Sequence, residues 1–233
     1  MSTNESNQAL SMLELLEEMV DNRLTANNDG PLHASLAKGD ENSRLLVMVG
    51  DNAGGKSLLI RFAATLLNQQ KTEPLQVSMR YRTQSGIHRA FMFGDEQEDS
   101  TGAVSLHAVA GALRTAKGRE TPCWVMLDEP DIGLSDSYSR ALGKYLADHA
   151  NELPAKHFEA MVVVTHSKTL VESLLDNTSL RPHFIAVGEK QVGQTPEGWL
   201  ADKTERSVEE LLTLHEKGSQ TWRAVNAVFK SKK

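Results

Sequence analysis

Gly50-Asp51-Asn52-Ala53-Gly54-Gly55-Lys56-Ser57 follows an apolar run at 45–49 and leads into a helix-like stretch at 56–69. A glycine, four residues and then Gly-Lys-Ser in that setting predict a strand, a loop that wraps phosphate and a helix. Glycine lets the backbone curl until successive N–H groups and the helix N-terminus face the phosphates. Lys56 would neutralise the β and γ oxygens and Ser57 would offer its hydroxyl to Mg2+, so residues 50–58, Leu58 included, are the candidate nucleotide-binding segment. A glycine-rich turn can match the pattern by chance, but seldom with the correct strand and helix on either side.

Outward from the loop, the apolar runs 123–127, 161–164 and 183–187 are short and bounded by turn or polar residues, as strands covered on both faces are. Helical stretches at 103–116, 136–151 and 169–175 lie between them. The alternation predicts an α/β fold, a mainly parallel sheet flanked by helices. Residues 75–93 read as two strands joined by a turn at Gln84 to Gly86. Upstream, 8–24 has the spacing of an amphipathic helix that could cover the sheet, mediate dimerisation or recruit another protein. The loop after it carries a short strand around 32–36. Beyond Gly193 a turn-rich stretch precedes helices at 208–216 and 220–229 and a basic tail ending at Lys233. The predicted division is 1–43 for helix and loop, 44–205 for the core and 206–233 for the terminal helices and tail.

A chain of 233 residues suffices for one domain with a real core. Its net charge of −6 and pI near 5.8 oppose a generally basic nucleic-acid coat, while leaving a local basic groove open. The polar start, Met1 to Asn7, and the want of a long apolar run predict cytoplasmic residence and make a membrane partner the weaker expectation. Cys123, the single cysteine, can form neither an internal disulfide nor a thiolate zinc site and is expected in the core.

Trp124-Val125-Met126-Leu127-Asp128-Glu129-Pro130 puts two acids at the carboxyl end of a buried strand, where open α/β sheets gather their ligands. Asp128 is the candidate for Mg2+, and Glu129 for orienting and polarising the attacking water. An exposed acidic turn is the plain alternative. Met161-Val162-Val163-Val164-Thr165-His166-Ser167 would bring His166 to the same edge, within reach of a γ-phosphate. A lone histidine at a strand end is more often structural; the order of the motifs is what favours a role in catalysis.

Together with Asp131-Ile132-Gly133-Leu134-Ser135-Asp136, these segments resemble the ABC ATPase superfamily over about residues 44–190. The resemblance implies an ABC-type P-loop fold with ATP and Mg2+ as cofactors, Glu129 as catalytic base, His166 as switch residue and the Leu134-Ser135 region as a loop communicating between subunits. Glu129-Pro130-Asp131-Ile132-Gly133-Leu134 is similar to the RecF-like and OLD-like branches, which commonly read Glu-Pro-Glu-x-Gly-Leu. Two departures stand out: Ala53 where the family usually has Gly, and Ser135 where it has Asp. The family's signature motif has its best candidate in Ser100-Thr101-Gly102 before the 103–116 helix, a segment that would equally serve as an N-cap. Gln84 or Gln97 would serve the glutamine loop, Gln84 being preferred and then touching the metal. Little chain separates Lys56 from Ser100, so the helical subdomain is reduced and a long coiled coil has no room.

In that family two heads sandwich two ATP molecules, which implies an ATP-dependent homodimer. An ATP switch acting with DNA or a protein, as RecF-like and SMC-like heads do in repair or defence against mobile elements, is the leading expectation. A transporter ATPase subunit and a slow nucleotide-sensing regulator are the alternatives. The transporter is disfavoured by the missing helical insertion and by the want of an aromatic adenine-stacking position before the loop. Arg80, Arg82, Arg89, Lys230, Lys232 and Lys233 are the candidate DNA contacts, although scattered cations are more often solvated surface.

Overall fold

The computed structural model describes residues 11–78 and 100–230. Strands β1 (Ala34–Ala37), β2 (Leu45–Gly50), β3 (Glu73–Ser78), β4 (Cys123–Asp128), β5 (Phe158–Thr165) and β6 (His183–Val187) form one sheet in the order β1-β6-β2-β5-β4-β3. Every pairing is parallel except that of the short edge strand β1 on β6. Helices among the described residues are α1 (Met12–Val20), α2 (Lys56–Gln69), α3 (Thr101–Lys117), α4 (Asp136–Asn151), α5 (Lys168–Asn177), α6 (Pro196–Ala201), α7 (Val208–Leu212) and α8 (Leu214–Lys230).

The central strands are apolar at successive positions because both faces are covered. Val47, Val125 and Val163 point into one layer, closed by α3, α4 and α5. Met48, Met126 and Val162 point into the other, with α1 and α2 above them. Helix α1 opens on a capping box between Ser11 and Glu14 and buries Met12, Leu15, Leu16, Met19 and Val20. Of the uses open to its apolar stripe, covering the sheet is the one observed.

Some elements depart from the expected boundaries. Strand β5 begins at Phe158, ahead of the continuous apolar run; Phe158 and Ala160 are buried with the polar Glu159 between them, and they pair with Cys123 and Trp124 across a register shift. Helix α6 lies in the stretch read as turn-rich: Thr195 caps it, Pro196 starts it and Trp199 sits 6.4 Å from Phe184, ring centre to ring centre. The terminal helices break at Thr213, whose hydroxyl turns back to the carbonyls of Glu209 and Glu210, and α8 then runs unbroken through Gly218. The expected second strand after Ser78 and its turn at Gln84 fall outside the described residues.

Buried polar groups in the sheet are accounted for. His183 accepts a hydrogen bond from the Gly39 N–H at 3.1 Å, and burial holds its pKa below the ordinary 6.5. Burial pushes the Cys123 thiol up to about 11, so the cysteine is core packing, as expected from sequence.

Glycine has opposite meanings on two helices. A Cβ at Gly143 on α4 would lie 2.8 Å from the Leu170 carbonyl oxygen and the Ser173 Cβ on α5, whereas one at Gly111 on α3 would meet nothing within 4 Å. Gly143→Ala should therefore lower stability by about 1–3 kcal/mol through overpacking. Gly111→Ala should raise it by about 0.5–1 kcal/mol through helix propensity. Urea unfolding of the two variants reads both signs; equal effects would contradict the helix crossing.

Candidate functional site

Register delivers the site. Val49 pairs with Thr165 and Asp128 with Val164, so the phosphate loop, Glu129 and His166 leave β2, β4 and β5 side by side at the carboxyl edge of the sheet. Strand β5 lies between the loop strand and the acid strand.

The loop is built on close approaches. A Cβ at Gly50, whose φ is 146°, would stand 2.1 Å from the Val187 carbonyl oxygen, and one at Gly55, φ 105°, would stand 2.7 Å from the Leu32 side chain. Ala53 takes φ 62°, the left-handed conformation that makes glycine the usual choice, at a cost of roughly 1–2 kcal/mol. Lys56 is buried, and its ammonium donates to the carbonyls of Gly50 at 2.7 Å and Asp51 at 3.1 Å.

Asp128 ties two elements together, accepting from Ser57 Oγ at 3.4 Å and Ser78 Oγ at 3.1 Å. A hydroxyl and a carboxylate so placed are hard oxygen donors suited to a cation shared with phosphate. Glu129 sits at φ 57°, its N–H bonded to the Val164 carbonyl, and lines the cleft beside the loop. A strained backbone at a polar strand end is a mark of functional sites. His166 Nδ1 lies 3.4 Å from Glu129 Oε1. That hydrogen bond raises the imidazole pKa above 6.5, against the opposing effects of burial and the Lys56 charge. Thr165 Oγ1 donates to Asp131 Oδ1 at 3.0 Å and fixes the neighbouring loop.

The cleft over the loop measures about 310 Å3, and its far wall is α8, through Gly218, Thr221 and Trp222. The Thr221 hydroxyl donates to the Ala53 carbonyl at 3.4 Å, and Arg206, ahead of α7, forms an ion pair with Asp51. Sequence reasoning missed these residues because nothing local marks them.

Ser100, Thr101, Gly102 and Ser135 do not line this cleft. Ser100 caps α3, its Oγ accepting from the Ala103 N–H at 3.3 Å, and Ser135 stands at the start of α4 with its hydroxyl 3.1 Å from that of Ser137. Gly102 packs on the loop after β4, where a Cβ would stand 2.8 Å from the Gly133 carbonyl oxygen. Gln84 and Gln97 lie outside the described residues, as do Arg80, Arg82, Arg89, Lys232 and Lys233.

A glycine-rich loop between a central parallel strand and its helix, with acids ending a strand of the same sheet, defines a P-loop NTPase-like fold. No family model and no curated protein matches the sequence. Among solved structures the chain is similar to Cdc6p from Pyrobaculum aerophilum, at 10% identity and a TM-score of 0.31, over 76% of this chain and 43% of that one. The chain thus spans less than half of that protein, and so distant a likeness says nothing of substrate or partner.

Protonated His166 is favoured in the folded chain. Its contribution is therefore complete below pH 6.5 and is lost as pH rises through the raised value. His166→Asn should shift the urea midpoint downward below pH 6.5 and much less at alkaline pH. A loss equal at both would show that the Glu129 pairing is absent.

Proposed function

We propose that this chain is an ABC-class ATPase that binds ATP with Mg2+, hydrolyses it and pairs with a second copy as it binds. The observation that carries this is the arrival of Lys56, Ser57, Asp128, Glu129 and His166 at one sheet edge, with β5 between the loop strand and the acid strand. Lys56 now holds two loop carbonyls; a triphosphate would take the ammonium over, because charged acceptors bind it more strongly than neutral ones. Ser57 and Asp128 would hold Mg2+, which when bound supplies charge neutralisation at the phosphates.

Glu129 would orient the attacking water and accept its proton as ATP and water become ADP and phosphate. His166 would donate a hydrogen bond to the γ-phosphate and so register its presence. Ser100, Thr101 and Gly102 would face the phosphates of the second copy. In support, Gly102 packs against the Gly133-Leu134 loop, and Leu106, Ile132 and Tyr138, within a few positions of that contact, leave large apolar groups exposed.

Action on DNA, or with a protein partner, in repair, maintenance or defence is the finer proposal and rests on the resemblance from Glu129 to Leu134. Of the cations suggested for DNA, Lys230 alone lies among the described residues, exposed at the end of α8. No helix among the described residues is long and apolar enough to cross a membrane.

Steady-state ATP hydrolysis at low salt, with and without double-stranded DNA, is the test. Lys56→Ala should abolish turnover. Glu129→Gln should cut it by about 10²–10⁴-fold while ATP still binds, and light scattering should then show trapped dimers. Turnover indifferent to Lys56 would overturn the ATPase, and a Glu129→Gln chain monomeric in Mg·ATP would overturn the sandwich. Stimulation by DNA that vanishes in Lys56→Ala would establish nucleic-acid coupling; indifference to DNA would turn the search to a protein or membrane partner.

A further inference from the structure

A phosphate loop grips only the phosphates, and the base of a nucleotide needs a surface of its own. We propose that Trp222 on α8 supplies it, stacking on the nucleobase, so that the far end of the chain completes the site begun at Gly50. This rests on the loop's binding a nucleoside triphosphate.

Geometry points to this residue. The cleft is lined by the loop, the start of α2, Glu129 and α8, and among the described lining residues Trp222 is the aromatic one. Gly218, one turn earlier on α8, brings the helix close to the loop: a Cβ there would already be in contact with the Ala53 methyl, at 3.6 Å. Thr221 ties the helix to the loop, and the Arg206–Asp51 pair ties down the segment ahead of α7.

Burial separates Trp222 from the other tryptophans. Trp124 and Trp199 are 6% and 5% exposed and belong to the core, whereas Trp222 is 47% exposed. The packing of α8 does not explain it either, because Val225, one turn on, is 2% exposed and anchors the helix to the second core layer. A large, half-open aromatic beside a phosphate site is what stacking a base requires, and such stacking is tolerant of which base it receives. The cleft, at about 310 Å3, is of a size found for small-molecule sites.

Calorimetric titration of the full chain with Mg·ATP and with Mg·tripolyphosphate, which has no base, separates this proposal from the one beneath it. Trp222→Ala should weaken ATP by roughly 5- to 150-fold, the span of base–aromatic stacking, and leave tripolyphosphate unchanged. Trp222→Phe should recover most of the ATP affinity. ATP, but not tripolyphosphate, should quench the exposed tryptophan emission, and the quench should vanish in Trp222→Phe. Equal weakening of both ligands would make Trp222 a prop for the loop and overturn the stacking role; no weakening of ATP would overturn it as well. Failure of the unaltered chain to bind either ligand would overturn the nucleotide site itself, and the stacking proposal with it.

Discussion

Parallel pairing of β2, β5 and β4 is the constraint on which the site depends. Both faces of these strands are buried, so a slip of one residue would turn each side chain into the wrong layer. Core packing therefore fixes the register, and the register fixes which residues emerge at the carboxyl edge. With Val49 level with Thr165 and Val164 level with Asp128, the loop, His166 and Glu129 emerge together. Their placement is decided by valines and methionines far from any chemistry.

That rigidity lets the site hold strain. Ala53 and Glu129 both sit in left-handed backbone, each at a cost of roughly 1–2 kcal/mol that the surrounding sheet must offset. For Glu129 the result is a carboxylate turned into the cleft beside His166. For Ala53, a residue that departs from the usual glycine, the methyl stands close to the bare Gly218 on α8. The two small residues suit each other across an interface that neither sequence neighbourhood reveals.

What the sequence made legible was whatever is local. The loop pattern, the Asp128-Glu129 strand end and the Thr165-His166 strand end each declare themselves within a few residues, and continuous apolar runs mark the strands that carry them. Boundaries failed where burial alternates, as at Phe158 to Ala160, or where a glycine inside a helix looks like a break, as at Gly218. Ser78, Arg206, Thr221 and Trp222 were hidden because their meaning comes from partners distant in the chain: Asp128, Asp51, Ala53 and the cleft. Ser100 to Gly102 were legible as a signature-motif candidate or an N-cap, and the structure adds the Ser100 cap on α3 and the close contact of Gly102 with Gly133.

Seating α8 on the phosphate loop makes the carboxyl-terminal helix a participant in the thermodynamics of whatever the loop holds. Binding linkage is reciprocal, so an anion that tightens or loosens the Ala53–Thr221 and Asp51–Arg206 contacts must be gripped more or less firmly by the same factor when something else moves the helix. A molecule that took hold of α8 from outside would act on whatever the loop holds without touching it.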